Sequence, residues 1–167
     1  MARTLILLRH AKSMYPPGVP DADRPLAPRG EREAPAAGRW IAHRYPAPGA
    51  VVLSPARRTR ETWGLASAEA PGWPDPILED RVYEADAGTL LGIARDLPRD
   101  VTEAILIGHN PGLEDLALLL AGDADPQVLG RLMAKFPTSG VAVIDIAGDW
   151  ADLPRGARLS EMAVPRG

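Results

Sequence analysis

Thr4-Leu5-Ile6-Leu7-Leu8-Arg9-His10 decides the architecture. An apolar run of this length that stops at an arginine and a histidine suits a strand buried on both faces, with polar residues at its carboxyl end. Two more runs read the same way, Ala50-Val51-Val52-Leu53 and Ala104-Ile105-Leu106-Ile107, and each leads into a helix pattern or follows one. Gly30 to Tyr45 carries apolar positions at Ala34, Ala37, Trp40 and Ile41, with Pro35 expected in the first turn, where a missing amide hydrogen does no harm. Ser54-Pro55 reads as an N-cap and first helical residue, opening a helix that runs to about Ala68. Gly108-His109-Asn110-Pro111-Gly112 reads as a tight turn, its glycines serving positive φ and Asn110 capping a helix from Leu113 to Ala121. A helix near Thr89 to Asp96, a β-branched strand from Val141 to Ile146 and an edge strand from Arg158 to Val164 complete the pattern. Strand, loop and helix in alternation predict an α/β fold: a single three-layer domain over 1–167, with a mostly parallel central sheet and helices on both faces.

Length and composition agree with one globular domain: 167 residues, 46% hydrophobic and 25% charged, give enough chain for a core. Proline (18) and glycine (16) make up about a fifth of the chain, which predicts many loops while staying below the level of low-complexity disorder. The longest loop is Lys12 to Arg24, marked by Pro16, Pro17, Gly18 and Pro20. A net charge of −3 gives no basic field to gather nucleic acid or anionic lipid, so any anion site must be built locally. One Phe and three Tyr beside four Trp argue against stacking platforms for single strands, and the tryptophans read as packing residues. With no cysteine, disulfides, thiolate metal sites and cysteine nucleophiles are excluded. No apolar run approaches a membrane span or the core of a signal peptide, which makes the cytoplasm the expected location.

In open α/β sheets, ligands bind beyond the carboxyl ends of the strands. Three such ends carry chemistry here: Arg9-His10, then Ser54-Pro55-Ala56-Arg57-Arg58, then Gly108-His109-Asn110. Two of the three histidines and a group of arginines therefore converge on one sheet edge of an acidic protein. Guanidinium groups match phosphate oxygens and keep their charge, and a neutral imidazole can take up a phosphoryl group in a two-step transfer, so phosphate is the indicated ligand and no metal or other cofactor is called for. His43, late in its helix, favours the helix C-terminus and nothing more. The carboxylates Glu79-Asp80 and Asp123/Asp125 read as solvated loop residues rather than magnesium ligands, and no histidine pair has zinc spacing.

Leu7-Leu8-Arg9-His10-Ala11-Lys12-Ser13, Leu53-Ser54-Pro55-Ala56-Arg57-Arg58-Thr59-Arg60-Glu61-Thr62 and Ile107-Gly108-His109-Asn110-Pro111-Gly112 resemble, in order, the three signature blocks of the histidine phosphatase superfamily. Asp23-Arg24-Pro25-Leu26 before Gly30, and Phe136-Pro137-Thr138-Ser139-Gly140, resemble its short branch, the SixA-type phosphohistidine phosphatases. The resemblance covers almost the whole chain. It implies a phosphoglycerate mutase-like fold and a metal-independent hydrolase in which His10 is the nucleophile. Arg9, Arg58 and His109 would bind the phosphate oxygens, with Arg58 preferred to Arg57 and Arg60 because it stands four residues after Ser54 and four before Thr62. Ser13, Lys12, Arg24 and Asn110 would line the substrate entrance. For the general acid the resemblance offers Asp80, with Glu84 as its rival. Phosphohistidine depends on that acid less than an alkyl phosphate does, since its leaving imidazole has a pKa near ~6.5.

Larger relatives acting on small sugar phosphates cover the pocket with insertions for which this chain has little room, so the implied substrate is phosphohistidine in a partner protein. The alternatives are a small-molecule phosphomonoesterase or mutase using the same site, and a non-catalytic phosphate- or phosphoprotein-binding module. A module that only binds has no need of an imidazole at position 10.

Overall fold

In the computed structural model, which describes residues 2–166, the chain forms one six-stranded sheet with helices on both faces. The strands are β1 (Arg3–Arg9), β2 (Ala50–Leu53), β3 (Ile77–Leu78), β4 (Glu103–Gly108), β5 (Val141–Ile146) and β6 (Ala157–Ala163), in the order β3-β2-β4-β1-β5-β6. β1, β2, β3 and β4 are parallel, β5 runs against β1, and β6 runs against β5. The run that ends at Arg9-His10 is thus a central strand, flanked by β4 and β5, and Leu5 to Leu8 are buried without exception.

The period-two geometry of a strand sends alternate residues of β1 into two separate cores. Leu5 and Leu7 pack with Leu90, Ile93, Leu113 and Leu116 from α3 (Ala87–Arg95) and α4 (Gly112–Leu119). Ile6 and Leu8 pack with Ala37 and Ile41 of α1 (Pro28–Arg44) and Ala66 of α2 (Arg57–Ser67). Trp150 fills the first core and Trp73 borders the second, while Trp40 and Trp63 are half-buried against the second. Among the described residues no helix is long and apolar enough to cross a membrane.

Three local expectations are corrected. Pro35 is not in the first turn of α1: the helix starts earlier, with Pro28 in its first turn, and Pro35 lies inside it. The missing amide bond there is offset by burial of Ala34, Ala36, Ala37 and Ile41 on the packed face. Ser54 does not cap α2, which begins at Arg57 after Ala56: its Oγ accepts the Ala56 amide ahead of the helix and lies against His109 on the neighbouring strand end. Neither Gly108 nor Gly112 has positive φ. Gly112 is required for a different reason, since a Cβ there would meet the carbonyl oxygen of Ala85 at 2.2 Å. A fifth helix, α5 (Pro126–Ala134), has no counterpart in the sequence reading. Asp125 caps it by accepting the Gln127 amide, with Pro126 in its first turn, and Leu132 is its one fully buried anchor.

Helices α1 and α2 meet where Gly38 abuts the backbone: a Cβ there would fall 2.2 Å from Ala66 O. Gly38→Ala must push the two helices apart and is expected to cost ~1–3 kcal/mol. Gly64→Ala, also on α2 but with open space around it, should be neutral or stabilising by up to ~1 kcal/mol. Urea denaturation of the two variants checks this, and equal effects would contradict the packing described.

Candidate active site

The β1–β4 register builds the centre of the site. Arg9 is paired with Gly108 at the ends of the two strands, so His10 and His109 leave the sheet side by side. Their ring centroids are 5.3 Å apart, tilted by 57°. On the other side of β4, Leu53 of β2 is paired with Ile107, which sets Ser54 beside His109. Three neighbouring strand ends thus present Ser54, His109 and His10 in a row.

The hydrogen bonds of each ring assign its tautomer. His10 Nδ1 lies 2.7 Å from its neighbour's carbonyl, Ala11 O. A carbonyl only accepts, so Nδ1 carries the hydrogen and Nε2 keeps its lone pair. Ser54 Oγ accepts the Ala56 amide at 3.2 Å and lies 2.8 Å from His109 Nε2. The Ser54 hydroxyl has no other acceptor among the described residues, so its hydrogen goes to Nε2 and His109 carries its own on Nδ1. That Nδ1 is buried and has no partner.

Both imidazoles are held neutral. Burial drives the pKa of His10 down to about 3 against the opposing pull of the Ala11 hydrogen bond, helped by its neighbour His109 and by the charges of Arg58 and Arg9. Burial, then Arg58, takes His109 to about 4, against a smaller opposing pull from Asp21. Arg9 is itself pushed down by burial; one Nη donates to Phe136 O at 3.1 Å, and its Nε is buried without a partner.

Arg58, in the first turn of α2, is buried, whereas Arg57 and Arg60 are exposed, Arg57 pairing with Glu61 and Arg60 bonding to Pro55 O. Helix α2 is fastened to both strand ends: Thr59 Oγ1 donates to Ser54 O at 2.8 Å, and Thr62 Oγ1 accepts the Ala11 amide at 2.9 Å. Arg58 donates to Asp21 O at 2.7 Å and to Asp21 Oδ2 at 3.1 Å, and its buried Nε has no partner.

Asp21 and Tyr83 enter the site although the sequence reading names neither. Asp21 lies on a single turn, Asp21–Asp23, within the proline-rich loop, and its carboxylate accepts from Tyr83 OH, Arg58 and Arg24. The Tyr83 hydrogen bond, with the two arginines, lowers Asp21 to about 2, and the same contact raises Tyr83 to about 12. The Tyr83 ring meets His109 edge-on at 5.7 Å.

The remaining named residues separate into two groups. Glu84, Asn110, His109 and Arg58 line one cleft of about 310 Å³, within the size range of a small-ligand site. Asp80 sits exposed on the turn Asp80–Val82 and does not line that cleft. Glu84 reaches it from a left-handed backbone, φ 56°, a conformation that non-glycine residues rarely adopt. Asn110 borders the cleft, but its side-chain groups are committed to Phe136 O and the Glu114 amide. Ser13 and Arg24 are buried and bonded to each other at 3.0 Å, holding the loop rather than opening on an entrance. Lys12 is exposed, and its carbonyl accepts the Ala27 amide. His43 is exposed on the last turn of α1. Glu79 pairs with Arg81 and Asp123 with Arg158.

The model of the histidine phosphatase superfamily (branch 1) matches residues 5–111. An uncharacterized protein of Mycobacterium tuberculosis is 43% identical over 162 residues, covering 95% of this chain and 100% of that one. Two solved structures named provisionally as phosphohistidine phosphatase SixA have the same fold. The one from Nakamurella multipartitia has a TM-score of 0.85 and 34% identity, covering 99% of this chain and 97% of its own. The one from Agrobacterium tumefaciens has a TM-score of 0.81 and 31% identity, covering 98% of each chain.

The depressed histidines fix how stability depends on pH. An unfolded histidine takes up a proton near pH ~6.5, whereas folded His10 and His109 resist protonation down to about 3 and 4. Between these values the unfolded chain binds more protons, so stability falls as pH falls through this window, by up to ~1.4 kcal/mol per pH unit for each histidine. Urea midpoints at pH 6.5, 5.5 and 4.5 should drop in that order. The drop should be shallower in His10→Gln/His109→Gln, and an unchanged slope in that variant would contradict the assignment.

Proposed function

The chain belongs to the histidine phosphatase superfamily, and from that premise we propose that it is a metal-independent phosphohydrolase working through a covalent phosphohistidine on His10, with phosphohistidine in a partner protein as its substrate. The observation that carries this reading is the state of His10: buried, neutral, its Nδ1 hydrogen directed at Ala11 O, and its Nε2 lone pair unused. A nucleophile must be unprotonated at the working pH and must not turn, and both conditions are met there.

The Nε2 lone pair attacks phosphorus while the bond from phosphorus to the leaving nitrogen or oxygen breaks in line with it. The leaving atom takes up a proton as it departs. Water then attacks the phosphorus of phosphorylated His10, the P–N bond breaks, inorganic phosphate leaves and the free imidazole is regenerated. Charge building on the phosphoryl oxygens is met by Arg9 and Arg58 and by the Nδ1 hydrogen of His109, a set of donors that leaves no step in need of a metal ion. Three donor positions near the two imidazoles, Arg9 Nε, Arg58 Nε and His109 Nδ1, are buried without partners, which supports a binding site for a tetrahedral anion there.

Of the two carboxylates considered for proton donation, Glu84 is our choice because it lines the cleft with His109 and Arg58. Ser54 acts through His109 as a positioning residue, keeping the Nδ1 hydrogen turned toward the phosphoryl group. The preference for phosphohistidine follows from chemistry as well as from likeness: two solved relatives carry that substrate in their names, and an imidazole leaving group tolerates a weak acid.

Phosphate release with EDTA present, from a phosphohistidine peptide and from p-nitrophenyl phosphate, tests the reading. Wild type should turn over both, with higher kcat/KM for the peptide, and His10→Ala should lose at least ~10³-fold on each. Turnover by His10→Ala equal to wild type would overturn the mechanism. Retained phosphate affinity with no wild-type turnover would indicate a binding module instead.

A further inference from the structure

The cleft beside His109 is lined by charged groups of both signs. Arg58 borders it with a side chain that is 7% exposed, its terminal nitrogens on Asp21 and its buried Nε without a partner. Glu84, Asp86 and Asp115 border the same cleft, and no lysine lines it. None of the three carboxylates is paired with a cation among the described residues. Asp86 caps α3 through the Thr89 amide at 2.8 Å, a bond that holds it ionised, and Asp115 stands exposed in the first turn of α4.

These three groups are fixed by the fold rather than scattered. Glu84 is turned by its left-handed backbone, and Ala85 is seated against Gly112, where any side chain would collide with Ala85 O at 2.2 Å. The segment carrying Glu84 and Asp86 is thereby locked to the start of the helix that carries Asp115. A phosphoryl group at Arg58 and His109 would leave the remainder of its substrate lying along these carboxylates.

We infer that this cleft selects a phosphoryl group attached next to a positive charge: a protein segment whose phosphorylated residue is flanked within one or two positions by lysine or arginine. This rests on the phosphohydrolase reading above and narrows its substrate. The same cleft opposes phosphorylated carboxylic acids, since a substrate carboxylate would meet the like charges of Asp86 and Asp115, which counts against mutase chemistry on a phosphorylated acid. Each exposed pairing contributes only a few-fold, so Asp86 and Asp115 together give roughly a tenfold preference at low salt.

The experiment compares kcat/KM for two phosphohistidine peptides of one length, flanked by lysine or by glutamate, with p-nitrophenyl phosphate as a substrate without flanks. Wild type should favour the lysine peptide about tenfold at low ionic strength, and the ratio should shrink toward one as sodium chloride is raised, as screening requires. In Asp86→Asn/Asp115→Asn the ratio itself should fall about threefold or more. Asparagine still caps α3, and the salt series on wild type needs no variant to fold. Equal kcat/KM for the two peptides, or a ratio indifferent to salt, would overturn the inference while His10-dependent hydrolysis of the aryl phosphate left the phosphohydrolase reading standing. Loss of that aryl phosphate activity would instead remove the reading on which the inference rests.

Discussion

Everything at the site depends on one pairing in the sheet, the parallel register of β1 and β4 that sets Arg9 opposite Gly108. A parallel pair ends where both strands end, so the next residue on each chain leaves the sheet at the same level. Those residues are His10 and His109. A slip of one residue would turn either imidazole to the other face of the sheet. The register is protected because alternate residues of β1 anchor in different cores, Leu5 and Leu7 on one side, Ile6 and Leu8 on the other. The hydrophobic pattern that makes the strand central is therefore also what places the two histidines in contact.

On this frame the electrostatics are built by exclusion of water. Arg9, Arg58 and Arg24 gather near two imidazoles that burial keeps uncharged, and the carboxylate of Asp21 beside them is held ionised by Tyr83 and two of those arginines. A cationic pocket with neutral rings is suited to a phosphoryl group: the arginines attract the anion, and His10 remains free to donate its lone pair. When an anion arrives, its charge favours protonation of the neighbouring His109, so the donor set strengthens as charge accumulates on the phosphoryl oxygens.

The strands and the three strand-end motifs are legible in the sequence because continuous apolar runs have few other places to go than a buried sheet, and polar residues that halt them must emerge at its edge. Arg58 and His10 can be named on that ground, helped by the ordered likeness of the blocks. Helix α5 is harder to see: it is short, Leu132 is its one fully buried residue, and Gly130 interrupts it, so its apolar stripe is weak although Asp125-Pro126 is a sound starting signal. Ser54 reads locally as a helix cap, and its Oγ does accept the amide of Ala56 two residues on, but the helix begins later, at Arg57, and the hydroxyl also reaches His109. Asp21 comes from a loop without periodicity and meets Tyr83 across 62 residues of chain, a contact that no local pattern encodes. Our choice of Glu84 over Asp80 rests on which of them lines the cleft with His109 and Arg58, which only the folded chain displays.

The central claim is that His10 carries the phosphoryl group, on the ring nitrogen left without a hydrogen by the bond from Nδ1 to Ala11 O. Rapid quench of wild-type protein with a phosphorylated substrate, followed by ³¹P–¹H correlation spectroscopy of the trapped species, reads this directly. The account predicts a single acid-labile, base-stable phosphoryl group on Nε2 of His10. Phosphate on Nδ1, on His109, or on no residue at all under conditions of steady turnover would contradict it.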